Sequence, residues 1–151
     1  VKAVLQRVSR AEVRVEGRVV GSIQRGLVVL LGVMKEDDEA VAARLAERVA
    51  TFRCFPDGDG RMNRALLESG GAALIVSQIT LAADGRKGRR PSFDRAADQG
   101  PAQGLYRAFV AALGGLGVPT AEGVFRARME VELVNDGPVT FVLEELPEGL
   151  R

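Results

Sequence analysis

Residues 132–146 read ELVNDGPVTFVLEEL, from Glu132 to Leu146. Alternating apolar runs flank Asn135-Asp136-Gly137-Pro138. Asp-Gly between two such runs marks a tight hairpin, so this stretch is expected to turn the chain between its last two strands. A proline follows at once, and it has no N–H to give to a returning strand. Gly-Pro is also a dipeptide in which a cis bond is cheap. Gly137 has no side chain, so a ligand can approach its backbone closely. A cis bond here would point neighbouring carbonyls in similar directions, a rigid pair of acceptors. An ordinary turn and a backbone-built binding element are both open readings.

Working outward, KAVLQRVSRAEVRV (2–15) alternates as one long strand, bent near Ser9. Glu16-Gly17-Arg18 turns it and VVGSI (19–23) returns. LVVLLGV (27–33) is a continuous apolar run, typical of a central strand. Asp37 or Asp38 caps a helix whose Val41, Ala42, Leu45 and Val49 follow the 3.6 period. TFRCF (51–55) is expected as a short strand, PDGDGRMN (56–63) as a loop and AALIVSQITL (72–81) as a buried strand. A second helix over 98–113 carries Leu105, Phe109, Ala112 and Leu113 on one face, and GGLG (114–117) ends it. VPTAEGVF (118–125), RMEVELV (128–134) and VTFVLEEL (139–146) read as three closing strands. The order β-β-β-α-β-β-α-β-β-β gives one α+β domain over 1–151, layered β/β/α.

Composition narrows the chemistry. The chain has 151 residues, 46% of them apolar, enough for one domain with a real core. Its longest apolar run falls far short of the roughly 20 residues that span a bilayer. No charged-then-apolar leader opens it, and Val1 stands where an initiator Met is expected, so little is expected to be missing there. A single cysteine, Cys54, excludes an internal disulfide and any CxxC metal site. It is expected to pack rather than react, and one cysteine fits a reducing cytoplasm. Histidine is absent, which removes Ser-His-Asp triads, Cys-His pairs and histidine metal ligands. Net charge is +1, which does not suit a globally basic nucleic-acid binder.

Three places break the apolar pattern. Ser77, Gln78 and Thr80 interrupt a strand near its end. They are either strand-end groups bonded to backbone and water or a ligand site, since their hydroxyls and amide need partners if buried. GRKGRRPSF sets Arg86, Lys87, Arg89 and Arg90 beside Phe93. This is either a solvated loop or a phosphate contact, because arginine meets phosphate in a bidentate way. Arg7 lies within an apolar strand, so it is on the wet face or paired.

QRVSRAEV (6–13), SQIT (77–80), RRPSF (89–93) and NDGPVT (135–140), in this order over essentially the whole chain, resemble D-aminoacyl-tRNA deacylase. The resemblance implies a cytoplasmic homodimer, without metal or organic cofactor, that hydrolyses the ester between a D-amino acid and the terminal adenosine of tRNA. It also implies removal of glycine from the wrong tRNA. It assigns the catalytic pocket to Ser77, Gln78 and Thr80, and a Gly-cisPro element entering the partner subunit's pocket to Gly137-Pro138. Arg7 would hold that element, Phe125 and Met129 would form pocket walls, and Phe93 would stand nearby. The basic loop of Arg86, Lys87, Arg89 and Arg90 would contact tRNA.

Three positions depart from the family's pattern. Ile79 stands where the family usually has Phe. Arg126 replaces a usual glycine. The arginine loop lacks an Asn common before its RPSF arginine.

The chemistry implied needs no histidine. An aminoacyl ester is activated, and positioning plus hydrogen bonds to the developing oxyanion supply acceleration. Backbone N–H groups around Gln78 to Thr80 and the adenosine 2′-hydroxyl would serve a substrate-assisted hydrolysis; Thr80 as nucleophile is the rival. Gly137-Pro138 carbonyls gripping the α-amino group would exclude L side chains. Two other readings remain: a non-catalytic tRNA- or nucleotide-binding protein on the same scaffold, and a related Gly-transPro editing branch with relaxed chirality.

Overall fold

The computed structural model describes residues 1–151. The first strand, β1 (Lys2–Val15), organises it. Its buried residues are Ala3 and Leu5, then Val8, then Ala11 and Val13. Strict alternation would keep one parity throughout, so the pattern changes phase near the middle. The register against its neighbour shifts there too, between Gln6 and Val8 and again between Val8 and Arg10. A bulge of this kind bends a strand and re-aims its side chains. Ala3 and Leu5 therefore enter one core, and Val8, Ala11 and Val13 a second. The bend expected near Ser9 is the hinge between the two.

One edge of β1 serves two partners. β2 (Arg18–Ile23) pairs antiparallel along Ala11–Val15, and β3 (Gly26–Gly32) along Lys2–Val8. Next to β3 runs β6 (Ala72–Ser77), parallel, and then β7 (Thr120–Glu122), also parallel. The sheet curls until β2 meets β7: a Cβ on Gly21 would overlap the Glu122 carbonyl. Val28, Leu74 and Val76 fill the inside of this curl, while Leu27, Val29, Leu31, Ala73 and Ile75 face the helices. Burial on both faces is why β3 and β6 are continuously apolar.

The helices cover the outer face. α1 (Glu39–Thr51) starts at Asp38, whose Oδ1 accepts from the Val41 N–H at 2.9 Å. It buries Val41, Ala42, Leu45, Ala46, Val49 and Ala50. A short helix, α2 (Leu66–Ser69), precedes β6. α3 (Gln99–Gly115) buries Tyr106, Phe109 and Leu113. Apart from the main sheet, β4 (Phe55–Pro56) pairs with β5 (Met62–Arg64). The α+β class and layered arrangement agree with the sequence reading. No helix is long and apolar enough to cross a membrane.

Five local expectations change. PDGDGRMN is not all loop, because Pro56 pairs with Met62 across β4 and β5. The stretch around Asp136-Gly137 is not a hairpin: one strand, β8 (Glu130–Glu144), runs through it, antiparallel to β1 from Glu130↔Arg14 to Lys2↔Glu144. Between the pairs Val8↔Asn135 and Gln6↔Thr140 the extra residues of β8 loop out. Asn135 holds that loop-out from within. Its Oδ1 accepts from the Val139 N–H at 2.6 Å and its Nδ2 donates to Thr140 Oγ1 at 3.0 Å. The long partner β1 carries the strand onward, which a local turn signal does not reveal. Next, AALIVSQITL is strand only to Ser77, and Ile79–Ala82 form a 3-10 turn. β3 ends at Gly32, where a Cβ would lie 2.7 Å from Leu81 Cβ, so the turn sits directly on it. Within TFRCF only Phe55 is strand, because α1 runs on to Thr51. Within VPTAEGVF only Thr120–Glu122 is.

Candidate active site

Strand β6 ends in Ser77, and the 3-10 turn follows it at the carboxyl ends of parallel β3 and β6. The turn is fixed at its root: the Gln78 N–H donates to the Leu31 carbonyl at 2.8 Å. Its first N–H groups, on Ile79 and Thr80, have no partner within the turn. Beside it opens a cavity of about 410 Å³. Ser77, Gln78 and Ile79 line one side, and Leu31, Val33 and Val76 the strand floor. Ala97, Gln99 and Ala102, at the start of α3, close another side. Phe125, Arg126, Ala127, Met129 and Val131 form the opposite wall.

Side chains behind the cavity lock that wall. The Tyr106 hydroxyl donates to the Ile75 carbonyl at 3.0 Å, and the Gly123 N–H meets the same carbonyl at 3.1 Å. Burial, then the nearby Glu122 carboxylate, push the Tyr106 hydroxyl well above its ordinary range, so it stays protonated and donating. Its ring packs on Phe125 with centroids 5.8 Å apart. A Cβ on Gly123 would stand 2.6 Å from Met129 Sδ, so glycine lets the wall close.

Of the residues expected to share a site, Ser77, Gln78, Phe125 and Met129 come together here. Thr80 is exposed beside them, its Oγ1 accepting from Gln78 Nε2 at 2.5 Å. No carboxylate lines the cavity, and Arg126 is its only charged residue. A nucleophilic Thr80 would therefore lack a titratable base in that lining.

Arg7, Gly137 and Pro138 do not line this chain's own cavity. They form a separate unit. Arg7 Nε donates to the Asp136 carbonyl at 3.0 Å and Nη1 to the Cys54 carbonyl at 2.8 Å. Arg7 is thus paired, and it ties the β8 loop-out to the chain ahead of β4. Gly137-Pro138 is cis, and Gly137 has φ +141°. Cys54 is used through its carbonyl, while burial pushes its thiol up; packing is its role.

The basic loop lies apart from the cavity. Asp84 and Ser92 exchange backbone hydrogen bonds of 2.8 Å that close it. Arg86 grips Asp84, Nη2 to Oδ2 at 2.7 Å, and this holds the Asp84 carboxyl down at about 2. Lys87, Arg89 and Arg90 are exposed. Phe93 is exposed and outside the lining. Sequence reading did not anticipate Leu31, Val33, Ala97, Gln99, Ala102, Ala127 or Val131 as lining residues. Gln99 is the polar one, and only the fold brings a helix start to a strand end.

Residues 4–144 match the family described as D-Tyr-tRNA(Tyr) deacylase. The chain belongs to that family. Among curated members named D-aminoacyl-tRNA deacylase, that of Symbiobacterium thermophilum is 59% identical over 95% of each chain. That of Geobacter metallireducens is 57% identical over the same shares. The family fold is evident in solved structures. A c-Myc DNA Unwinding Element Binding Protein superposes with a TM-score of 0.93 at 36% identity, covering 97% of this chain and 100% of that one. A probable eukaryotic D-amino acid tRNA deacylase superposes at 0.80 with 16% identity, over 94% and 97% of the two chains, and shows the fold alone.

Proposed function

We propose that this chain hydrolyses the ester of D-aminoacyl-tRNA, and of mischarged glycyl-tRNA, releasing free amino acid and tRNA. The observation that carries this is the cavity itself. A largely apolar wall faces Ser77, Gln78 and Ile79 at the start of a fixed 3-10 turn, with no titratable base among them. Such a site suits an activated ester. The N–H groups of Ile79 and Thr80 donate to the carbonyl oxygen as it gains charge, worth about 10²–10³ per donor in general. The 2′-hydroxyl of the terminal adenosine orients or activates the attacking water. Ser77 and Gln78 position the ester. No metal or organic cofactor takes part, and the enzyme works in the cytoplasm on tRNA steered by Arg86, Lys87, Arg89 and Arg90.

Chirality comes from a second copy of the chain. Gly137 and Pro138 of each protomer enter the partner's cavity, with Arg7 holding the element from behind and Phe93 near the mouth. The Gly137 and Pro138 carbonyls take the substrate's α-amino group, which fixes the directions left for hydrogen and side chain. A D side chain then points to solvent, and an L side chain meets backbone. What supports a dimer is β8. It is a fifteen-residue edge strand whose Val131, Val134 and Val142 are exposed, the kind of edge that proteins cover.

The test is deacylation of matched D- and L-tyrosyl-tRNA by purified protein. Rapid loss of the D ester alone is expected, and equal rates on both would sink the chiral reading. Thr80→Ala should keep most of the rate, because the turn's backbone does the work; near-complete loss would favour a Thr80 nucleophile.

A further inference from the structure

Arg126 is the one charged residue among the fourteen that line the cavity, and no carboxylate faces it there. Its backbone has φ +65°, in the left-handed region. Glycine takes that conformation freely, and an L side chain only at a cost. The side chain is exposed, so it is not there to fill space. Phe125, Ala127 and Met129 beside it carry no charge, so the cavity offers its guanidinium no ionic partner. A costly backbone position that delivers a cation to an apolar and amide-lined pocket is a mark of use.

A guanidinium matches phosphate and carboxylate with paired, planar hydrogen bonds. We propose that Arg126 is a substrate-binding residue that holds an anionic group of the charged tRNA end while the ester sits against Ser77 and Gln78. The proposal rests on the deacylase reading above. Two such groups exist on that substrate. One is the phosphate linking the terminal adenosine to the preceding nucleotide. The other is the side-chain carboxylate of a D-aspartyl or D-glutamyl ester. If the carboxylate is the group bound, a D-lysyl or D-arginyl ester with its side chain near Arg126 is disfavoured by like charge.

Steady-state kinetics on D-tyrosyl- and D-aspartyl-tRNA separate the sources, with wild type, Arg126→Gln and Arg126→Lys. Gln keeps an unbranched polar side chain but neither the charge nor the guanidinium fork. If the phosphate is bound, Arg126→Gln raises KM about fivefold on both substrates, and the salt dependence of log KM flattens by about 0.7. If the carboxylate is bound, only D-aspartyl-tRNA suffers. Arg126→Lys recovers only part of the loss in either case, because an ammonium keeps the charge but not the paired, planar bonds. Arg126→Gln kinetics equal to wild type on both substrates overturns the proposal while the deacylase reading stands. A wild-type protein that cleaves no D-aminoacyl-tRNA overturns both.

Discussion

Gly137 has φ +141°, and a Cβ there would lie 2.6 Å from Val139 Cγ2 and 3.3 Å from Arg7 Nη2. The methyl of an alanine would therefore meet both the strand that follows and the arginine that holds the loop. Gly137→Ala should cost about 1–2 kcal/mol in stability, read as a lower Tm. Deacylation should fall much further than stability if, as proposed, the Gly137 and Pro138 carbonyls take the α-amino group, because a displacement of a few tenths of an ångström breaks that contact. Wild-type turnover by a folded Gly137→Ala protein would remove Gly137 from the binding element. Arg7 acts at the same scale. Its two backbone partners, Cys54 and Asp136, come from distant parts of the chain, and the sequence marked it only as an arginine out of place. Of the two settings open to it, wet face or pairing, it takes the second, with carbonyls that no sequence pattern points to.

At the scale of elements, β1 and β8 form one long ladder with two irregularities opposite Gln6 to Arg10. The change of phase on β1 sends its first half to the helix-covered core and its second half into the curl. The loop-out on β8 presents Gly137-Pro138 at the same level. Asn135 is the brace, giving one acceptor to the Val139 N–H and one donor to Thr140. Asn135→Ala should destabilise by about 1 kcal/mol, since the Val139 N–H loses its partner. Hydrogen exchange at Val139 should quicken while exchange in α1 is unchanged. Equal protection at Val139 in both proteins would show that the brace is dispensable. The turn chemistry of Asn-Asp-Gly was legible in the sequence, but not its setting. A hairpin and a loop-out use the same residues, and the choice lies with the strand opposite.

For the whole molecule, the Gly137-Pro138 element does not line the cavity of its own chain, so the proposed site is complete only when two chains meet. Activity per chain should fall on dilution in step with dimer dissociation measured by sedimentation. Replacing Val142, 62% exposed on the edge strand, by Lys should shift both curves together toward higher concentration. Full activity in a demonstrably monomeric protein would defeat the cross-subunit arrangement. The sequence by itself determined the α+β class, because apolar periods of two and 3.6 alternate plainly along it. It also determined the exclusion of histidine chemistry and the polar signature at Ser77, Gln78 and Thr80. The tertiary structure decided where strands end and which groups meet. The strand stops at Ser77 because β3 ends beside it at Gly32, and Asp136-Gly137 fails to turn back because β1 continues past it. Leu31, Gln99 and Phe125 share a cavity because a parallel strand pair, a helix start and a returning loop converge there. Local pattern reports what each residue prefers, whereas a site is made from residues far apart in sequence, and only packing brings those together.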